Sequence, residues 1–316
     1  MRISNQPRRL LLGVCFALST VLLSSCKEDT PAVKATNTVT DIVLTNNNFT
    51  LLRAAVQRAG LADFLRGGTL TVFAPTDDAF KAAGFADVAA INAVPVADLT
   101  RILQYHVVSS RIPAANVPAA QNTVVQSLLP ANGALYVSKV NNVVSVNGRT
   151  VTTADVAADN GVIHIINGVL LSPPGDVVTA VVGNPQSFSL LTAAVTRAGI
   201  ASTLTSATAI TVFAPTNDAF IAAGFNAAAI AAATPAALTR ILTYHVVPGR
   251  VFSTLLTDGV TPATLLGPTV RVNVSGNGVT VTGQGNGTNA SNVTSANILT
   301  TNAVVHAINR VLLPPP

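Results

Sequence analysis

Residues Thr71–Phe80 read TVFAPTDDAF, and the same ten positions return at Thr211–Phe220 as TVFAPTNDAF, 140 residues further on. Two more stretches echo in the same order. LTRILQYHVV at Leu99–Val108 becomes LTRILTYHVV at Leu238–Val247, and GVIHIINGVLLSPP at Gly161–Pro174 becomes AVVHAINRVLLPPP at Ala303–Pro316. Repeats of about 20–50 residues build solenoids, whereas a spacing near 140 is a whole domain copied once. Any function is therefore one that two similar modules in series can perform.

The first quoted stretch also sets the local structure. Leu70–Ala74 reads as a strand that stops at Pro75. Thr76 is placed to cap the helix that follows, and Asp77 and Asp78 sit where negative charge suits the helix dipole. The copy holds Thr216, Asn217 and Asp218 there. Upstream, Phe49–Ala59 and Phe188–Ala198 have helical spacing and close on Gly60 and Gly199, as expected of a left-handed cap. Downstream, a helix is predicted from Pro95, or Thr234-Pro235 in the copy, to the pairs Tyr105-His106 and Tyr244-His245.

The rest of each module is β-rich. Val270, Val272 and Val274 alternate with polar residues, then Val279 and Val281 do so beyond a Gly276-Asn277-Gly278 turn. Val144 and Val146 before Asn147-Gly148 repeat the pattern. Val162–Ile166 is apolar on both faces except for His164, which predicts an interior strand. The Gly283–Ser291 stretch is Gly/Asn-rich and carries three extra residues, so a mobile, exposed loop is expected there. The fold class is α+β: two tandem modules, each a compact β-sandwich-like core with helices clustered to one side. The boundaries read as 38–173 and 174–316, and the short linker predicts modules that touch or are stiffly spaced.

Residues 1–25 read as a signal peptide, with Arg8-Arg9 before an apolar run from Leu10 to Leu23. That run is shorter than the ~20 residues needed to span a bilayer. Leu23-Ser24-Ser25-Cys26 resembles a bacterial lipobox, which implies a lipid on Cys26, and residues 26–37 read as a tether. Lys27-Glu28-Asp29 is similar to the signal that sends some lipoproteins to the outer face of an outer membrane. The expectation is a surface-exposed outer membrane lipoprotein, with a periplasm-facing one as the alternative, held to the membrane by its N-terminal lipid only.

Charge and cysteine content narrow the function. Without Arg2, Arg8 and Arg9 of the leader, 15 basic residues face 13 acidic ones, so the pI near 9.7 is no argument for nucleic acid. Cys15 belongs to the leader and Cys26 to the lipid, which leaves the folded part without thiol, disulfide or Cys-based metal site.

In order and spacing, TVFAPTxDAF, the Tyr-His pair and the final V-I/V-H-x-I-N-x-V-L strand resemble the fasciclin (FAS1) domain, twice over nearly the whole chain after the leader. The residues that carry the resemblance are Thr76, Asp78, Tyr105, His106, His164 and Asn167. Their repeats are Thr216, Asp218, Tyr244, His245, His306 and Asn309. The resemblance implies a surface or extracellular module used in adhesion and matrix contacts, usually without catalysis. Integrin-binding segments of animal relatives lie near the Tyr-His region, but no acidic motif of that kind accompanies it here, so integrin recognition does not carry over.

The inventory agrees with a non-enzyme. The only Glu is Glu28, no G-x-S-x-G elbow occurs, and Asp155 becomes Asn297 in the copy, which would abolish acid–base work there. The four histidines fit structural imidazoles bonded to backbone or Tyr, because a zinc site would need further ligands that the motifs lack. Eight Phe residues recur as pairs at motif positions and read as core, leaving Phe64, Phe252 and Tyr136, too few for a sugar-stacking platform. No cofactor, metal or catalytic residue is expected. The reading is a monomeric, lipid-anchored adhesion protein binding a cell-surface or matrix macromolecule. The alternatives are a binder of a small apolar ligand (pigment or lipid) and a passive spacer.

Overall fold

The computed structural model describes residues 37–316. The expected leader over residues 1–25, lipidated Cys26 and all but the last residue of the tether lie outside the described residues. Among the described residues no helix is long and apolar enough to cross a membrane.

The first half begins with α1 (Val39–Thr45), α2 (Thr50–Ala59) and β1 (Leu70–Pro75), then α3 (Asp77–Ala82), α4 (Val88–Ala93), α5 (Val96–Tyr105) and β2 (Val107–Val108). Its strands β3 (Thr123–Gln126), β4 (Ala134–Val140), β5 (Val143–Val146), β6 (Arg149–Ala158) and β7 (Gly161–Ile166) follow. The second half repeats the order with α6 (Val177–Val182), α7 (Pro185–Ala198), α8 (Ala201–Ser206), β8 (Ile210–Pro215), α9 (Asn217–Ala222), α10 (Ala227–Ala232), α11 (Pro235–Tyr244) and β9 (Val246–Pro248). It ends with β10 (Val270–Ser275), β11 (Gly278–Gly283), β12 (Ser291–Leu299) and β13 (Ala303–Ile308).

Each half is one mixed sheet. The strand order is β2-β1-β7-β6-β5-β4-β3 in the first and β10-β11-β12-β13-β8-β9 in the second. Among the described residues the only parallel pairs are β1 with β7 and β8 with β13, and they place the quoted motif beside the terminal motif. The predicted interior strand β7 does lie inside its sheet, and its copy β13 does the same. Two register shifts in β6, between Val151 and Thr153 and between Thr153 and Val156, bend the sheet. Its two limbs then close on one cluster, with Phe73 and Ile166 from one limb and Leu135, Val137, Val144 and Val146 from the other. Alternation along β1 and β7 sends Leu70, Val72, Ala74 and Ile163 to the opposite face, under Val43, Leu52, Val56, Leu99 and Leu103 of the helices. Full burial of side chains such as Phe80 and Ile91 contributes roughly 1.5–3 kcal/mol each.

The caps fall where the sequence puts them. Gly60 and Gly199 take φ of 67° and 71° after α2 and α7, and a Cβ at either would meet nothing within 4 Å, so backbone conformation alone calls for glycine. Three expectations need correcting. Pro95 is the N-cap of α5 and not its first residue, whereas Pro235 does occupy the first position of α11. The hairpin of the second half turns on two residues only, since Ser275 pairs with Gly278. The Gly283–Ser291 loop is not simply free: Asn286 is buried, donating to Val311 O at 3.0 Å and accepting from Leu313 N at 2.8 Å, which ties the loop to the C-terminal segment.

The described residues all fall within one compact unit. The loop after β9 lies against β4 and β5 of the first half, so the modules touch. Phe252 is buried against Tyr136 with ring centroids 6.0 Å apart, and the Arg250 guanidinium sits 4.4 Å over the Tyr136 ring. Asn122 Nδ2 donates to Arg250 O at 2.6 Å, and Thr254 Oγ1 bonds Ser145 Oγ at 3.2 Å.

Candidate functional site

The motif residues divide by what they touch. Thr76 and Thr216 cap α3 and α9, their hydroxyls accepting from Ala79 N at 3.2 Å and Ala219 N at 3.3 Å. Asp78 and Asp218 are exposed on the first turns, and among the described residues Asp78 has only Lys81, at 3.7 Å. The neighbouring Asp77 and Asn217 reach across instead, accepting from Leu51 N at 2.8 Å and Leu190 N at 2.9 Å. That change from Asp to Asn keeps the acceptor, the property the contact needs. The sequence reading gave Asp77 only a dipole role and left it out of the candidate residues. The signal was the acceptor common to both copies.

Tyr105 and Tyr244 are fully buried. Tyr105 OH donates to Ala134 O at 2.8 Å and accepts from Asn147 Nδ2 at 3.0 Å. Tyr244 OH donates to Thr269 O at 2.7 Å and accepts from Gln284 N at 2.8 Å. Desolvation pushes both phenols above their ordinary value. They pin the end of α5 or α11 to the far limb of the sheet. Asn167 and Asn309 act between neighbouring strands, accepting from Thr150 N and Asn292 N at 2.8 Å each.

The histidines follow two patterns, one per motif. His106 Nδ1 lies 2.8 Å from Ile102 O while its Nε2 accepts from Leu170 N at 2.9 Å, which fixes the proton on Nδ1. His245 repeats this with Ile241 O at 2.8 Å and Leu312 N at 2.9 Å. Desolvation holds both near a pKa of about 4, well under the usual histidine value. His164 Nε2 lies 2.8 Å from Ile112 O, with Asp155 N donating to its Nδ1 at 3.3 Å. His306 pairs with Val251 O at 2.9 Å and Asn297 N at 3.4 Å, and burial again lowers its pKa. Their rings pack on Phe73 and Phe213, centroids 5.7 Å apart in each half. Every imidazole lone pair thus receives a backbone N–H and none is offered to a metal. Among the described residues no group of three or more His, Cys, Asp or Glu could hold an ion.

Two openings differ between the halves. In the second, an apolar cleft of about 340 Å³ is lined by Phe213, Val247, Val251, Leu255, Val260 and Val272. Its counterpart in the first, beside Phe73, Ile112 and Val137, holds about 30 Å³ because Thr123 and Val125 of β3 fill it. The second half has only an isolated bridge between Ala263 and Thr269 there. A separate cleft of about 460 Å³ runs between the halves.

The chain belongs to the Fasciclin domain family, whose model matches residues 47–172 and 186–314. Protein sll1483 of Synechocystis sp. is 37% identical over 172 residues, covering 52% of this chain and 93% of that protein. Transforming growth factor-beta-induced protein ig-h3 of Sus scrofa is 40% identical over 139 residues, 43% of this chain but 19% of that protein. Immunogenic protein MPB70 of Mycobacterium bovis is 36% identical over 147 residues, 44% of this chain and 70% of that protein. A solved FAS1 domain pair from the insect cell adhesion molecule Fasciclin I matches over 84% of this chain and 97% of that one, with a TM-score of 0.41 and 19% identity. The chain spans well under half the length of the animal ig-h3 and periostin relatives it matches, 19% to 35% of each.

Proposed function

We propose that this chain is a non-enzymatic, lipid-anchored adhesion protein, carried on the outer face of an outer membrane and binding a cell-surface or matrix macromolecule. One observation carries the reading. In both Fasciclin domains the buried Tyr and His motif residues are spent on backbone groups inside the fold, so the part left to act is the surface. Two binding faces on one tether raise each other's effective concentration, a physical use for the duplication. Cells deleted for the protein should lose attachment to a surface that the parent strain holds, and the full chain should restore it. Equal attachment by both strains overturns the reading. The Cys26→Ala chain should leave the membrane fraction, and protease added to intact cells should remove the native protein. A protein that survives that treatment faces the periplasm.

The apolar cleft of about 340 Å³ beside Phe213 favours a second reading, a small apolar ligand, since such sites run to about 300–1,000 Å³. Coloured or lipid material that co-purifies with the native chain, and is lost from a Val251→Arg variant, would support it.

A further inference from the structure

Two differences between the halves meet at one place. Val146 pairs with Arg149 across the hairpin of the first half, where Val281 pairs with Ser291 in the second. In the terminal motif, Asn167-Gly168 of the first half stands where the second has Asn309-Arg310. The arginine thus stands after the last strand in the second half and at the start of β6 in the first. Arg310 is exposed, whereas Arg149 is half-buried and lies flat across Gly168. A Cβ on Gly168 would come within 2.5 Å of Arg149 Cδ and 2.8 Å of its Nε, so this placement requires glycine.

Arg149 lines the 460 Å³ cleft between the halves, together with Arg101, Leu171, Ser172, Ser295 and Ile298. Among the described residues, no ion pair or side-chain hydrogen bond engages its guanidinium. Desolvation lowers its pKa, as for a cation withdrawn from water without a counter-charge. Arg101 stands at the rim, exposed, 3.7 Å from an exposed Asp98. Its counterpart Arg240 is already engaged, donating to the Pro315 carbonyl. Among the described residues the half-buried Ser172 hydroxyl and the exposed Ser295 hydroxyl have no hydrogen-bond partner, and Leu171 is 53% exposed.

A half-buried guanidinium without a partner is costly, and a carboxylate matched to its fork offsets that cost. We propose that this cleft binds a uronate residue of an acidic polysaccharide, with the carboxylate on Arg149, Arg101 adding charge, sugar hydroxyls at Ser172 and Ser295, and the C–H face of the ring on Leu171 and Ile298. A bare sulfate or phosphate would fill little of the cleft and leave Leu171 wet. An acidic peptide side chain brings the carboxylate without the hydroxyls. Recognition here works by charge and not by aromatic stacking, so it stands despite the shortage of aromatic platforms. The inference names a ligand class for the surface proposed above and rests on that reading only for its biological setting.

The test titrates the full chain with a short oligogalacturonate, against a neutral galactan oligomer, inorganic sulfate and oligoglutamate. Oligogalacturonate should bind, weaken with added salt, and exceed all three controls. Arg149→Gln should lose about ten- to a hundredfold in affinity. Arg149→Lys should recover part of it, because the charge returns without the fork. Gly168 does not take positive φ, so Gly168→Ala suits the backbone and should weaken binding by displacing Arg149 with its charge intact. Arg101→Gln, at an exposed position, should weaken binding without touching the fold. Undiminished binding by the folded Gly168→Ala and Arg101→Gln chains overturns the proposal, as does equal or tighter binding of sulfate or oligoglutamate. Because the titration uses purified protein, uronate binding can fail while cells still attach, and attachment can fail while uronate still binds.

Discussion

The side-chain amide of Asn297 donates to the carbonyl of Gly148 across 3.1 Å, a bond from one Fasciclin domain to the other. Asp155 is its equivalent in the first domain. Both sit in a β-bulge at positive φ, 59° for Asp155 and 63° for Asn297. Both also use Oδ1 to accept a backbone N–H, from Ala114 at 2.9 Å and from Ser253 at 2.7 Å. Only the amide can donate as well. The change from Asp to Asn therefore keeps the local cap and adds the inter-domain bond.

Asn297→Asp should keep the Ser253 cap and set a carboxylate against the Gly148 carbonyl. The seam should lose about 1–3 kcal/mol, the cost of a broken buried hydrogen bond. Calorimetry should then separate the unfolding of the two domains. A single transition at the wild-type midpoint would show that the bond couples nothing.

Tyr136 and Arg250 give a second handle on the same seam. Tyr136→Ala and Arg250→Ala, alone and together, form a double-mutant cycle with an expected coupling of about 0.5–2 kcal/mol in urea unfolding. Additive effects would mean that the guanidinium and ring do not interact energetically.

Much of the fold could be read from sequence because its signals are local. Gly60 and Gly199, Thr76 and Thr216, and the apolar β7 strand each declare themselves within a few residues, and the repeat lets each domain check the other. The short helices α4 and α10 were missed, since six residues carry too little periodicity to register. The seam was missed for a different reason. Phe252 stands where the first domain has Pro113, and Tyr136 where the second has Arg271, so neither recurs, and a reading built on repeats passes over them. Arg149 and Gly168 escaped in the same way.

Asp77 and Asp78 are adjacent but should behave differently. Asp77→Ala leaves Leu51 N–H without its acceptor and should lower stability by about 1–2 kcal/mol. Asp78 meets only Lys81 at 3.7 Å in open solvent, so Asp78→Ala should leave the urea midpoint unmoved. Equal losses from the two variants would refute the contrast.

Acid should destabilise the protein through His106 and His245. Both are buried as neutral rings with pKa about 4, whereas in the unfolded chain they titrate near 6.5. Between those values the unfolded chain binds a proton that the folded chain refuses, so stability falls as pH falls. Their contribution is complete above about pH 6.5 and lost on descending toward pH 4, by about 3 kcal/mol for each ring. His306, also lowered by burial, acts in the same direction. Urea unfolding measured across pH 5–6 gives the slope, and at pH 5 each ring should account for nearly one proton taken up on unfolding. His106→Gln removes one such group, so proton uptake should drop by close to one even if overall stability also falls. A slope unchanged in that variant would mean that the ring is already protonated in the folded protein, contrary to the Leu170 N–H that points at its Nε2.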